Sequence, residues 1–194
     1  MNTTDKIFVA GHLGMVGSSI VRLLKKLGYN NILISPKSEL NLTNQQAVNN
    51  WFEVNKPDYV FLAAAKVGGI GANKTYPAEF LHENISIQTN VIHASYINKV
   101  KKLLFLGSSC IYPKENPLPI KENRILSGPL EPTNEAYSLS KIVGLKMCEY
   151  STWCFNYLEK EVQRVLSDPY LSNIEEALEG CQCHIGHSLC SLRH

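Results

Sequence analysis

Apolar residues recur along the chain in two alternating rhythms, short unbroken runs and longer stretches at helical spacing. Lys6-Ile7-Phe8-Val9-Ala10 is a short apolar run that ends at a glycine, the pattern of a strand buried in a parallel sheet. Ser18 to Leu27 repeats apolar residues with helical periodicity, and Asn31 to Ser35 reads as a second strand. Thr43-Asn44-Gln45-Gln46 has capping-box spacing and predicts a helix to about Asn55, with Val48, Trp51 and Phe52 on its apolar face. Pro57-Asp58 precedes a third strand, Tyr59 to Ala63, and Lys66-Val67-Gly68-Gly69-Ile70-Gly71 predicts a flexible loop after it. Tyr76-Pro77 starts a long helix through about Ile97, since proline is tolerated in a first turn. Its residues Phe80, Leu81, Ile85, Ile87, Val91 and Ile92 cover more than one face, which fits packing between a sheet and a second surface, such as another copy of the chain. Lys102 to Gly107 is the next strand, and five prolines in residues 113–133 predict an irregular segment before a helix that carries Tyr137.

After about Tyr150 the character changes. Residues 156–167 and 172–178 have helical periodicity, and no further strand of the earlier kind follows. The division expected is therefore 1–150 as one α/β domain and 151–194 as a short, mostly helical tail.

A hydrophobic content of 44% and a charged content of 19% describe a globular protein with a proper core. The net charge of +2 gives no reason to expect a nucleic acid or an acidic membrane surface as partner. No apolar run reaches membrane-spanning length, and the first residues lack a secretory pattern, so the expected location is cytoplasmic. There the six cysteines are expected as thiols or metal ligands rather than a disulfide framework. Three Cys and two His stand in residues 181–190, but their C-x-C spacing is tighter than a usual zinc pair and no second half-site exists. No metal site is read there.

Two stretches carry candidate chemistry. The first is Gly11-His12-Leu13-Gly14-Met15-Val16-Gly17, placed between a strand and a helix. In such a turn Gly11 permits the tight bend, Gly14 lets backbone approach a pyrophosphate, and Gly17 lets helix and strand pack closely. The pyrophosphate would rest on unpaired amides at the positive end of the helix, beside Met15 and Val16. Plain turns also use glycine; the strand and helix on either side favour a dinucleotide. Ala63 and Ala64 would let a cofactor lie against bare backbone, and Lys37, with no carboxylate directly at the second strand's end, suits the 2′-phosphate of NADP better than NAD. Lys37 read by itself is equally a solvated loop charge.

The second stretch joins Ser108-Ser109-Cys110 to Tyr137 and Lys141. A Tyr and a Lys four apart share one face of a helix, and an ammonium near a phenol favours the phenolate. Ser108, at the end of the fourth strand, could hydrogen-bond the same substrate oxygen, a set suited to proton transfer while a hydride moves. Taken alone, Tyr-x-x-x-Lys is an ordinary helix-surface pair.

Together the glycine turn, Leu106 to Pro113, Ala63-Ala64-Ala65-Lys66-Val67-Gly68-Gly69-Ile70 and Glu131-Pro132-Thr133-Asn134-Glu135 resemble the extended short-chain dehydrogenase/reductase superfamily, and within it the GDP-L-fucose synthase family. The resemblance covers roughly residues 6–150 and implies a Rossmann-type parallel sheet with helices on both faces. It also implies an NADP-dependent enzyme that epimerises GDP-4-keto-6-deoxy-D-mannose at C3 and C5 and reduces C4. By that resemblance Tyr137 protonates the C4 oxygen, Lys141 assists it and holds the nicotinamide ribose, Ser108 binds the sugar, and Cys110 moves the epimerisation proton. Leu13 stands where the family often places an arginine for the 2′-phosphate, which leaves more of that work to Lys37. The family's epimerisation histidine and its substrate-binding half find no match in residues 151–194, so turnover is expected to be impaired. A non-catalytic dinucleotide-binding remnant, and another nucleotide-sugar epimerase or dehydratase, are the alternative readings.

Overall fold

A computed structural model describes residues 1–151. Four parallel strands, β1 (Ile7–Ala10), β2 (Ile32–Leu33), β3 (Tyr59–Leu62) and β4 (Lys102–Phe105), form one sheet in the order β2-β1-β3-β4. Register runs Ile7 to Ala10 against Tyr59 to Leu62, which in turn pair with Lys102 to Phe105. Five helices accompany them: α1 (Met15–Lys26), α2 (Gln45–Asn55), α3 (Ile70–Thr75), α4 (Pro77–Ile97) and α5 (Glu135–Tyr150). The chain leaves β1 toward β2 and returns on the other side to β3, so a crevice opens beyond the carboxyl ends of β1 and β3.

Strand alternation divides the core. Ile7 and Val9 face α1 with Leu24 and Tyr29, whereas Phe8 and Ala10 face α2 and α4 with Val48, Phe52, Val91 and Ile92. Helices thus cover both faces, as expected from the α/β pattern. Phe8 packs against Trp51 and Phe52, with ring centroids at 4.1 and 5.9 Å, and those two rings also meet, at 5.5 Å.

Several boundaries differ from the sequence reading. β2 is two residues long rather than five, because the chain peels away before Pro36, which has no amide to donate. α1 begins at Met15, three residues before its apolar periodicity, since Met15 is exposed and Gly17 packs on the Gly11 turn rather than filling the core. Asn44, not Thr43, caps α2: its Oδ1 accepts from the Ala47 amide at 3.0 Å. The glycine-rich segment after β3 is not all loop. Ile70 starts the short helix α3, and Asn73 donates to the carbonyls of Gly68 and Gly69. The helices expected at 156–167 and 172–178 and the cysteine-histidine cluster at 181–190 lie outside the described residues. Among the described residues no helix is long and apolar enough to cross a membrane.

Candidate functional site

The glycine turn is built by contact. A methyl group on Gly11 would stand 2.6 Å from the Ala64 nitrogen, and Gly11 has φ +88°, a backbone conformation that glycine adopts without strain. On Gly17 it would meet the Gly11 carbonyl oxygen at 2.2 Å. Both glycines therefore let β1, α1 and the end of β3 close together. Gly14 differs: its outer side is bare apart from the Gly11 oxygen at 3.4 Å, and it caps α1 with no side-chain hydrogen bond. No acidic residue stands in the first turn of α1, so its unpaired amides face the crevice without a competing charge.

Beyond these amides lies a cleft of about 480 Å³. Gly11 and Gly14 form one wall, Ala63 to Ala65 another, and Ser35 with Lys37 stands at the end of β2. Lys37 thus shares the cleft with the glycine turn, and so does Leu13, which is exposed there. The bare amides, the alanine wall and the cation fit a dinucleotide carrying an extra phosphate. Met15 and Val16 form the first turn of α1, and neither they nor Gly17 are among the residues lining the cleft.

Two contacts at the cleft were not read from the sequence. Lys66 pairs with Glu83 of α4, and its ammonium holds the Glu83 carboxyl below the usual range, with Lys37 adding a smaller pull. Buried Asn84 accepts from the Lys66 amide at 2.8 Å and donates to the Lys66 carbonyl at 2.9 Å, fixing the segment that follows the alanines. Each contact joins residues seventeen or eighteen positions apart, a separation that no local pattern marks.

The Tyr-Lys pair lies off the end of β4, and neither residue is among those lining the cleft. The Lys141 ammonium is buried, donates to the Leu106 carbonyl at 3.0 Å, and lies 4.8 Å from the Phe105 ring centroid and 5.8 Å from that of Tyr137. Burial lowers its pKa from 10.5 to about 8. Leu106 continues β4 alongside β3, whose extension forms the alanine wall. α5 comes this close to β4 because Gly144 has no side chain: a Cβ there would meet Phe105 at 2.5 Å and the Gln88 amide oxygen at 2.8 Å.

Ser108 follows Gly107 and is buried; its hydroxyl oxygen accepts from the Cys110 amide at 3.3 Å, closing a 3-10 turn over Ser109–Ile111. Cys110 is half-buried, and the Asn134 amide donates to its sulfur at 3.2 Å. Residues far apart in the chain, 108–110 and 134–141, thus meet at one sheet edge. Among the described residues no group of three or more His, Cys, Asp and Glu is arranged to hold a metal.

The family model for the NAD dependent epimerase/dehydratase family matches residues 7–156. The chain belongs to this family. Within reach of it are a putative GDP-L-fucose synthase 2 of Arabidopsis thaliana, 62% identical over 77% of this chain and 45% of the relative. The GDP-L-fucose synthase of Escherichia coli K12 is 53% identical over 75% of this chain and 45% of its own length. Among solved structures, a Campylobacter jejuni GDP-D-glycero-L-gluco-heptose synthase determined with NADPH has a TM-score of 0.77 at 43% identity, over 81% of this chain and 45% of that one. A Naegleria fowleri GDP-L-fucose synthetase bound to NADP has a TM-score of 0.70 at 25% identity, over 78% and 45%. The chain spans about half the length of the family relatives it matches.

Proposed function

We propose that residues 1–150 form the NADP-binding and catalytic half of an epimerase/reductase. In this reading it converts GDP-4-keto-6-deoxy-D-mannose to GDP-L-fucose in the cytoplasm, acting as both isomerase and oxidoreductase. The observation that carries the reading is the convergence of Ser108, Cys110, Tyr137 and Lys141 at the carboxyl end of β4, the strand next to β3, whose extension walls the glycine-lined cleft. The names of the Arabidopsis and Escherichia coli relatives support the choice of substrate. The NADPH and NADP in the Campylobacter and Naegleria structures support the cofactor.

In this reading Gly11, Gly14, Gly17, Met15 and Val16 hold the pyrophosphate, Ala63 and Ala64 lie against the cofactor, and Lys37 holds the 2′-phosphate. NADPH bound there supplies the hydride. Tyr137 hands its phenolic proton to the C4 oxygen, and Lys141, fixed by the Leu106 carbonyl, supports the charge left behind. Ser108 keeps an O–H to donate while its oxygen accepts from Cys110, so it can orient the ketone. Cys110 takes a proton from the carbon beside the ketone and releases it to solvent; the C–H electrons pass to the C4 oxygen as an enolate, and a proton delivered by water to the other face inverts the centre as the carbonyl re-forms. Two copies pair through the outer side of α4 and α5, where Leu139 and Val143 are exposed. Residues 151–194 stand in this scheme as a divergent tail in place of the substrate-binding half.

The test is NADPH oxidation, followed by absorbance, in the presence of GDP-4-keto-6-deoxy-D-mannose. Consumption by wild type that is lost in Tyr137→Phe supports the reading. No consumption with intact NADPH binding would reduce the chain to a dinucleotide-binding module.

A further inference from the structure

Asn134 occupies the N-cap position of α5, where asparagine ordinarily bonds the first free amides of its helix. Here it makes no such bond. Its Nδ2 instead donates to the Cys110 sulfur at 3.2 Å, and its Oδ1 accepts from the Ser138 hydroxyl at 3.3 Å. Ser138 is fully buried, and its hydroxyl also lies 3.0 Å from the Asn134 carbonyl, so both the backbone and the side chain of Asn134 are held from one point. The backbone that carries the sulfur is fixed as well, since the Ser108 hydroxyl oxygen accepts from the Cys110 amide. A capping residue has been turned away from its helix and onto a thiol.

We propose that Asn134 is a positioning residue for Cys110, which aims the sulfur and stabilises it as a thiolate. The physical reason is the difference between the two states of sulfur. A thiol is a weak acceptor, whereas a thiolate accepts strongly, so an N–H held on the sulfur favours the charged form. That form is the one able to take a proton from carbon. The step balances simply: the C–H bond beside the ketone breaks, an S–H bond forms, and the electron pair moves to the ketone oxygen. The inference rests on the proposed function for its substrate, but its contact with sulfur can be tested without one.

The experiment alkylates the whole chain with iodoacetamide at pH 7 and follows the Cys110 peptide by mass spectrometry, which separates it from the other cysteines. Asn134→Ala removes the donor without adding charge, and because the side chain does not cap α5 the thermal midpoint should change little. Asn134→Asp keeps the Ser138 bond but has no N–H. Alkylation of Cys110 is expected to slow about tenfold in both, the worth of one charge-assisted hydrogen bond. Equal rates in wild type and Asn134→Ala overturn the proposal, as does slowing confined to Asn134→Asp, which a repelling charge alone explains. In parallel, solvent deuterium entering the sugar at C3 and C5 should fall by a similar factor in Asn134→Ala. Slower alkylation in both variants, with no exchange even by wild type, supports the Asn134–Cys110 assignment and overturns the substrate reading instead.

Discussion

Lys141 shows how one side chain can serve chemistry at a cost in stability. Its ammonium is buried and donates to the neutral Leu106 carbonyl, and its pKa falls from 10.5 to about 8. Between those values the folded state binds fewer protons than the unfolded chain, so this group makes stability rise as pH increases from 8 toward 10.5. Below pH 8 the full penalty applies, about 3 kcal/mol before partial offset by the carbonyl and the Phe105 ring. Lys141→Met should therefore raise unfolding stability by about 1–2 kcal/mol at pH 7 and lose the advantage by pH 10.5, as measured by urea unfolding at both pH values. Turnover in the same variant should drop by a factor of about 10²–10⁴. Tyr137→Phe should lose turnover to a similar extent while leaving the NADPH dissociation constant within about threefold, measured by fluorescence titration. The four-residue spacing of these two groups was visible in the chain. The carbonyl that holds Lys141 was not, because Leu106 reaches it only through the packing of α5 on β4.

Helices and strands meet at two places where a single substitution should be informative. Gly144 lets α5 settle against α4 and Phe105, and a methyl group there would overlap both Phe105 and Gln88. Gly144→Ala should destabilise the fold by about 1–3 kcal/mol, read as a lower denaturant midpoint with unchanged slope. At the opposite edge of the sheet, Lys101 bridges Asp5 at 3.0 Å and Asp58 at 2.9 Å, tying together the starts of β1, β3 and β4. Asn2 and Lys101 hold the Asp5 carboxyl below its usual range, and Lys101 and the Lys6 amide do the same for Asp58. Both carboxylates contribute stability above their ordinary pKa, and that contribution is lost as pH falls through their lower folded values. Lys101→Met should accordingly flatten the loss of stability as the pH falls below the ordinary carboxylate range, as followed by circular dichroism. Strand identity was legible here from apolar runs, and helix identity from periodicity. Strand length was not: β2 stops where the chain turns to line the cleft, and α3 hides within a glycine-rich segment because its side chains bury little.

Across the molecule, the sheet order places every candidate group on one edge. β1 and β3 part to admit the glycine turn and alanine wall, while β4 delivers Ser108 to Cys110 against α5. The α/β class and the glycine turn could be read in advance because both depend on local periodicity and spacing. The Lys66–Glu83 pair, the Asn84 clamp and the diverted Asn134 could not, because each joins segments that only the finished fold brings together. Trp51 offers a direct reporter of the cleft: its indole N–H donates at 3.1 Å to Ser35, which lines it beside Lys37. The decisive measurement is the titration of tryptophan fluorescence with NADPH and NADH in wild type and Lys37→Ala. Saturable quenching by NADPH, at least tenfold tighter than by NADH, with that preference lost in Lys37→Ala, is the predicted result. No saturable response to either nucleotide would contradict the assignment of this cleft to a dinucleotide.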